Sequence, residues 1–165
     1  MDDSPSFEAP VEWAAFGFGK SPRIARERLA QTPRAVRTNF VLTLRPYPSQ
    51  EPPAAFCERT LAQALPAFVD GVVGSAYWVE LGSTQAVARD VEYEGSRLRQ
   101  MHALGVIDGQ LVHFVGTSGR CGFRQAKEIF LRALRSLWVA SPAPEGTESL
   151  EASSRRERLP ILPHS

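Results

Sequence analysis

The sequence predicts an α+β domain in which helices pack on a twisted antiparallel β-sheet. Three consecutive segments have the apolar and β-branched composition of strands. These segments are residues 85–93, 97–107 and 110–117. Glu94-Gly95 and Asp108-Gly109 separate them, and a glycine at the second position suits the positive φ of a tight hairpin turn. Apolar residues on either side of this meander recur every three to four positions, which is typical of helices.

One folded unit accounts for most of the 165 residues, because compact domains usually contain about 100–150 residues. We expect this domain at residues 7–140, between a flexible N-terminus at 1–6 and a disordered tail at 141–165. Apolar residues make up 43% of the chain and charged residues 22%, which is ordinary for a protein with a core.

The elements before the meander are predicted from local composition. Residues 7–19, with Phe16 and Phe18 beside glycines, indicate one or two short strands. Ser21-Pro22 is typical of a helix start and predicts a short basic helix over 24–31. Further strands are predicted at 38–44 and at 73–81.

Two longer helices have a clear apolar stripe. The first covers residues 52–68, and the second covers residues 123–139. The stripe of the first consists of Cys57, Leu61, Ala64, Leu65 and Phe68. The stripe of the second consists of Ala126, Phe130, Ala133, Leu134 and Leu137.

The predicted register assigns each strand residue to one of two sheet faces. Pairing about two-residue turns places Leu104 opposite His113, and it places Arg89 opposite Gln100. One face is mainly apolar with a few polar groups, and it consists of Val87, Val91, Tyr93, Leu98, Gln100, His102, Leu104, Val106, Leu111, His113 and Val115. The other has smaller side chains, and it consists of Ala86, Ala88, Met101, Ala103, Ile107, Val112 and Phe114.

Neither face has the clean apolar–polar alternation of a sheet that is solvated on one side. If both helices pack on the small-residue face, the other face is an apolar surface that is large enough to bind a partner. Alternatively, the helices lie on both faces, or residues 24–31 and the tail cover the second face. In that case its apolar positions are core.

Charge and hydropathy exclude several classes of function. The 19 basic and 18 acidic residues give a net charge of +1, so no overall field attracts nucleic acid or an anionic membrane. The acidic N-terminus lacks the features of a signal peptide, and no segment reaches the roughly 18 apolar residues of a membrane span. We therefore expect a cytoplasmic protein that does not insert into a membrane, with Cys57 and Cys121 reduced.

Catalytic and metal-binding patterns are poorly matched. Residues 116–122 join a strand to a helix, as in phosphate sites, but lack the Lys-Ser/Thr pair of a P-loop. His102 and His113 fall short of the three or four ligands of a zinc site. Ser118 and Cys121 have no identifiable base. We expect no enzyme, cofactor or metal, and a phosphate-binding enzyme that uses 116–122 is the alternative.

Several short strings occur in a particular order along the chain. They are Ala9-Pro10 to Trp13, Phe16-x-Phe18, Asn39 to Arg45, Leu65 to Phe68, Gly82 with Ala86, Leu98 to Gln100, and Leu134 to Leu137. Through them the chain resembles the Eag-type chaperones of bacterial type VI secretion, a DcrB-like group with a Mog1/PsbP-like fold. The resemblance implies a cytosolic homodimer with a concave apolar cradle, which shields the N-terminal transmembrane helices of a toxin effector before export. Residues 19–36 and the tail are longer than in the family pattern.

The resemblance also implies site residues. Phe16 and Phe18 stand where the family has a short apolar pair, and Val41 stands at an apolar strand position. Gln100 stands where a glutamine lines the cradle, whereas Thr60 replaces a second glutamine of the family. With the apolar face, the predicted partner-binding residues are Phe16, Phe18, Val41, Val87, Val91, Gln100, His102, Leu104 and His113. A generic Mog1/PsbP-like adaptor is the alternative function.

Overall fold

The computed structural model describes residues 13–17, 23–27, 37–68, 71–93 and 97–139, the first two ranges by their backbone alone. They form an eight-stranded sheet with two helices. The elements are β1 Trp13–Gly17, β2 Arg23–Glu27, β3 Asn39–Pro46, α1 Pro53–Phe68, β4 Gly71–Val73, β5 Tyr77–Leu81, β6 Thr84–Tyr93, β7 Leu98–Ile107, β8 Gln110–Gly119 and α2 Phe123–Arg135. The predictions for residues 1–6, 94–95 and 141–165 and for Phe18 lie outside the described residues.

The sheet is antiparallel at every described pairing, in the order β1-β2-β3-β8-β7-β6-β4, and β5 also pairs with β6. The predicted meander of β6, β7 and β8 is confirmed. At the turn between β7 and β8, φ is 48° at Asp108 and 72° at Gly109. Positive φ at both central residues is the requirement that the Asp-Gly sequence meets.

Replacing Gly109 by Ala is expected to lower the free energy of unfolding by about 1–2 kcal/mol, because an L-residue is strained in the left-handed region. A Cβ at this position would meet no atom within 4 Å, so the cost is conformational and not steric. Urea unfolding measures it, with Asp108→Gly as the control that relieves positive φ at the neighbouring residue. Unchanged stability of Gly109→Ala would contradict this account of the turn.

The predicted register between β6 and β7 is wrong by two residues. Arg89 pairs with His102 and not with Gln100, because β6 ends at Tyr93 and β7 begins at Leu98, which does not fit the expected two-residue turn. The shift is an even number, so every residue stays on its predicted face. The predicted pairing of Leu104 with His113 is confirmed.

The short helix predicted over residues 24–31 is wrong at residues 24–27, because Arg23–Glu27 is the strand β2, and residues 28–31 lie outside the described residues. It pairs with β1 on one side and with β3 on the other. Hydrogen bonding to two neighbouring strands outweighs the local helix-start signal of Ser21-Pro22.

Three other boundaries differ from prediction. The strand expected at 73–81 is divided into β4 and β5, which both pair with β6, and the Gly74 N–H between them donates to the Asp90 carbonyl at 2.8 Å. The loop expected at 116–122 is shorter, because β8 continues to Gly119. The second helix ends at Arg135 and not near residue 139, although Leu137 beyond it is still buried.

The small-residue face is covered by α2. The resulting core consists of Phe40, Leu42, Val79, Leu81, Ala86, Ala88, Met101, Ala103, Ile107, Val112, Phe114, Phe123, Ala126, Phe130, Ala133, Leu134, Leu137 and Val139. Lys127 on α2 also donates to Asp90 at 2.7 Å, and the Tyr77 hydroxyl donates to the same carboxylate at 2.5 Å. An aromatic core and this polar contact therefore hold α2 on the sheet.

The opposite face, which we call the α1 face, carries α1. Cys57, Leu61 and Leu65 of the helix are buried against the sheet. Their partners in this second core are Val87, Val91, Leu104 and Leu111. The two helices thus lie on both faces, which was one of the alternatives that the sequence left open. Within the described part of the chain, no helix has the length and apolarity to cross a membrane.

Candidate partner-binding site

Three of the predicted binding residues lie beneath α1. Val87 is 1% exposed, Val91 0% and Leu104 5%. The sequence pattern could not distinguish an apolar face that binds a partner from one that binds the chain's own helix. The structure therefore corrects the extent of the predicted surface, because these three side chains belong to the α1 core.

Other predicted residues lie on the same face but beside α1, on β3, β7 and β8. Val41 pairs with Val115, which pairs with His102, and the two valines are partly buried. In the backbone register, Phe16 pairs with Ile24 and Ile24 with Val41. The β1–β2 hairpin therefore continues this cross-strand row beyond β3.

Gln100 is the centre of a hydrogen-bond network on the α1 face. The Tyr93 hydroxyl donates to its Oε1 at 2.5 Å, and its Nε2 donates to Thr117 Oγ1 at 3.0 Å. His102 Nε2 lies 3.0 Å from the same Oε1. Because an amide oxygen only accepts, His102 Nε2 carries the proton and Nδ1 does not. The predicted polar group at Gln100 is thus satisfied by side chains of its own chain.

His102 and His113 lie side by side, with ring centroids 5.8 Å apart. Burial, and to a lesser extent the charge of His113, lowers the pKa of His102 to about 4. Burial and the charge of Arg45 also lower the pKa of His113. His102 Nδ1 is buried and has no hydrogen-bond partner among the described residues. Both rings are therefore uncharged at neutral pH.

A cavity of about 230 Å³ opens between α1 and strands β3, β8 and β7, and we call it the first groove. It is lined by Thr43, Arg45, Thr60, Leu61, Ala64, Leu104, Leu111 and His113. Thr60 and Ala64 are small residues one turn apart on α1, a spacing that lets a second helix approach closely. Sequence reasoning placed Ala64 in the apolar stripe of α1 and assigned neither Thr43 nor Ala64 to a binding site, although the small residues at the spacing of Thr60 and Ala64 were a usable signal.

The segment that was considered for phosphate binding has little free hydrogen-bonding capacity. The backbone N–H of Gly122 donates to the carbonyl of Gly119 at 3.2 Å, and that of Phe123 donates to Arg120 at 3.5 Å. Ser118 is 1% exposed, and its hydroxyl donates to the Gly119 carbonyl. These amides close a turn. Among the described residues there is also no group of three or more His, Cys, Asp or Glu side chains that could hold a metal ion.

No family model matches the chain, and no curated protein matches it significantly. Among solved structures it is similar to LpqN, involved in cell envelope biogenesis of Mycobacterium tuberculosis, with 13% identity and a TM-score of 0.59 over 85% of this chain and 86% of that one. PsbP from Synechocystis sp. PCC 6803 has 16% identity and a TM-score of 0.50 over 84% and 88%. A Bacteroides thetaiotaomicron protein has 15% identity and a TM-score of 0.50 over 82% of this chain and 44% of that one. At these identities the likeness shows the fold alone, and the chain has the Mog1/PsbP-like α+β fold that the resemblance implied.

Proposed function

We propose that this protein is a cytoplasmic chaperone that shields the N-terminal transmembrane helices of a type VI secretion toxin effector until export. The first groove is the observation that carries the proposal. It lies on the face that the sequence predicted for partner binding, and its wall on α1 includes two small side chains, Thr60 and Ala64, beside Leu61. The homodimer and the cytoplasmic location that the resemblance implies belong to the same proposal.

The composition of the first groove suits an apolar helix. Leu61, Leu104 and Leu111 line the groove but are 5% exposed or less, so the partly exposed Thr60 and Ala64, which allow close approach, offer the contact surface on α1. An interface of standard size buries about 800 Å² per partner, which at about 25 cal/mol/Å² is on the order of 20 kcal/mol per side before association and ordering costs, so a bound helix would also contact residues beyond the lining of the groove. Tight binding is therefore compatible with a protein of almost no net charge.

The Gln100 network supports an occupant that has no polar groups to offer. Gln100 finds its hydrogen-bond partners in Tyr93, His102 and Thr117, so its amide loses no partner when water leaves the surface. A transmembrane helix satisfies its own backbone groups internally. The Gln100 amide then stays paired when an apolar helix covers it, whereas His102 Nδ1 has no partner among the described residues and gains none from such a helix.

The test uses charge placed in the groove and the same charge placed outside it. Ala64→Arg puts a guanidinium in the first groove, whereas Ala62→Arg puts one on the exposed side of the same helix. Each variant is co-expressed with the N-terminal fragment of a toxin that is encoded beside this protein and has predicted membrane helices. We expect Ala64→Arg to weaken the complex at least about tenfold, since the long side chain would occupy the space of the bound helix and add a second positive charge to a groove that Arg45 already lines.

Thermal unfolding of both variants shows whether the domain remains folded, and Thr60→Lys repeats the test from the neighbouring turn. Co-purification and the dissociation constant are the measurements. The proposal fails if Ala64→Arg and Thr60→Lys hold the fragment as tightly as Ala62→Arg does. It also fails if the unsubstituted protein leaves the fragment insoluble.

A further inference from the structure

A second cavity, of about 390 Å³, lies beside the start of α1, and we call it the second groove. Its lining includes Ala54 and Cys57 of α1 and Trp78 of β5. Thr84 and Gln85 are its polar members, and none of the described residues that line it is acidic or basic. A charged group would lose its hydration here without gaining a partner. The volume is at the low end for small-ligand sites, so the groove admits a few apolar side chains and not a folded partner.

The segment that follows α2 lies close to this groove. A Cβ on Gly82, in the turn between β5 and β6, would lie 2.6 Å from the Leu137 carbonyl oxygen. Val139 belongs to the same core as Leu81 of β5. Thr84, which lines the second groove, is two residues beyond Gly82. Residues 140–165 therefore follow directly on a segment that lies near the lining of the second groove.

The sequence beyond Val139 contains one run of four apolar residues, Leu159-Pro160-Ile161-Leu162, which we call the tail motif. It begins 20 residues beyond Val139, and a chain of that length spans at most about 65 Å, so the tail motif can reach the groove. Pro160 and Pro163 favour an extended backbone at the leucine that precedes each of them. Extended proline-containing segments dock in grooves that aromatic side chains line. Trp78 meets this requirement, because it lines the groove and is 48% exposed.

The charges beside the tail motif and beside the groove have opposite signs. Residues 155–158 are three arginines and one glutamate, so a stretch of net charge +2 directly precedes the tail motif. Glu58 follows Cys57 on α1, Glu80 is two residues beyond Trp78 on β5, and both are exposed. Glu80 makes only a long contact with Arg135, at 3.9 Å. Exposed ion pairs add little energy, but they favour one direction of the bound segment.

We propose that the tail motif binds in the second groove of its own chain, with the preceding arginines beside Glu58 and Glu80. The connection to Val139 raises the effective concentration of the tail motif at the groove to the order of millimolar, so a weak contact is sufficient. The bound segment covers Trp78. This inference goes beyond the proposed function and does not depend on it, because Thr60 and Ala64 of the first groove do not line the second.

A disulfide trap in the full chain tests the inference. Thr84→Cys is combined with Ile161→Cys in a Cys121→Ser background, whereas Cys57 is kept because it is buried and burial raises its pKa to about 11. The control combines Thr84→Cys with Leu150→Cys, an apolar position outside the tail motif that has a shorter connection to the domain. We expect the pair with Ile161→Cys to form an intramolecular disulfide at least about tenfold faster than the control pair.

Two substitutions on α1 show whether the groove causes this difference. Ala54→Arg places a long charged side chain among the residues that line the groove, and it should remove the tenfold difference. Ala55→Arg is exposed and lies outside the lining, so it should leave the difference unchanged.

Trp78 gives a second readout. The chain has three tryptophans, so Trp13→Phe with Trp138→Phe leaves Trp78 alone. In this background Ile161→Asp should shift the emission of Trp78 to longer wavelength, because the ring becomes more exposed to water. Leu150→Asp, which places the same charge outside the tail motif, should leave the emission unchanged.

Three outcomes would overturn the inference. The first is an equal rate of disulfide formation for Ile161→Cys and Leu150→Cys. The second is a disulfide-linked dimer in place of the intramolecular product, since the tail motif of a second copy would then occupy the groove. The third is an unchanged emission of Trp78 in Ile161→Asp.

Discussion

Replacing Phe130 by Ala is expected to lower the free energy of unfolding by about 3–5 kcal/mol, the usual cost of truncating a buried Phe. Phe130 of α2 is 0% exposed. Its ring meets the edges of two others, with centroids 5.7 Å from Phe114 and 6.4 Å from Phe40. The ring also rests on the sheet backbone, because a Cβ on Gly116 would lie 2.5 Å from two of its atoms. Strand backbone cannot collapse easily into the space that the ring leaves.

Urea unfolding followed by circular dichroism measures this effect. Leu131→Ala on the same helix is the control, because Leu131 is only partly buried against the same core and its loss should cost less. If Phe130→Ala lowered the free energy of unfolding by less than about 1 kcal/mol, the three-ring contact with Phe40 and Phe114 would not be a main support of α2.

Acidification from pH 7 to pH 4 is expected to cost on the order of 3 kcal/mol of stability through His102, whose pKa burial lowers to about 4. The unfolded chain takes up this proton near the ordinary pKa of 6.5, whereas the folded chain takes it up only near 4. Below pH 6.5 the unfolded state therefore binds more protons and is favoured. The loss begins near pH 6.5 and is complete below pH 4.

His102→Gln isolates this contribution, because glutamine keeps an N–H donor for Gln100 and does not titrate. The free energy of unfolding in urea is compared at pH 7 and pH 4 for both proteins. The variant should lose less stability between pH 7 and pH 4 than the parent. Protonation of carboxylates also lowers stability over this range, but it does so equally in both proteins and cancels in the comparison. His113 and Arg89, which lies opposite His102 on the neighbouring strand, remain in place as the other ionisable groups near the ring. Equal losses in the two proteins would contradict the burial of an uncharged His102.

The sheet faces could be predicted because strand side chains alternate with a period of exactly two. The tight turn at Asp108-Gly109 fixed the pairing of β7 with β8. The pairing of β6 with β7 could not be predicted to the residue, because the length of the connecting loop is not visible in strand composition. β2 was missed for a related reason, since its conformation depends on two neighbouring strands that local sequence does not reveal.

The candidate site was predicted in part. Gln100, His102 and His113 do lie together on the α1 face, as their alternation required. Val87, Val91 and Leu104 lie on that face too, but α1 covers them. The side on which each helix packs could not be decided, because both faces are apolar and both helices have similar stripes. The first groove depends on that choice, since it exists only where α1 leaves the face uncovered.

The pairing of β3 with β8 brings Asn39 next to Thr117, and these residues are far apart along the chain. A polypeptide emerging from the ribosome presents β1, β2 and β3 long before their neighbour β8 has been translated. Contacts of such large sequence separation form late in folding. The floor of the first groove spans both strands, so a nascent chain has no complete groove until translation has passed β8.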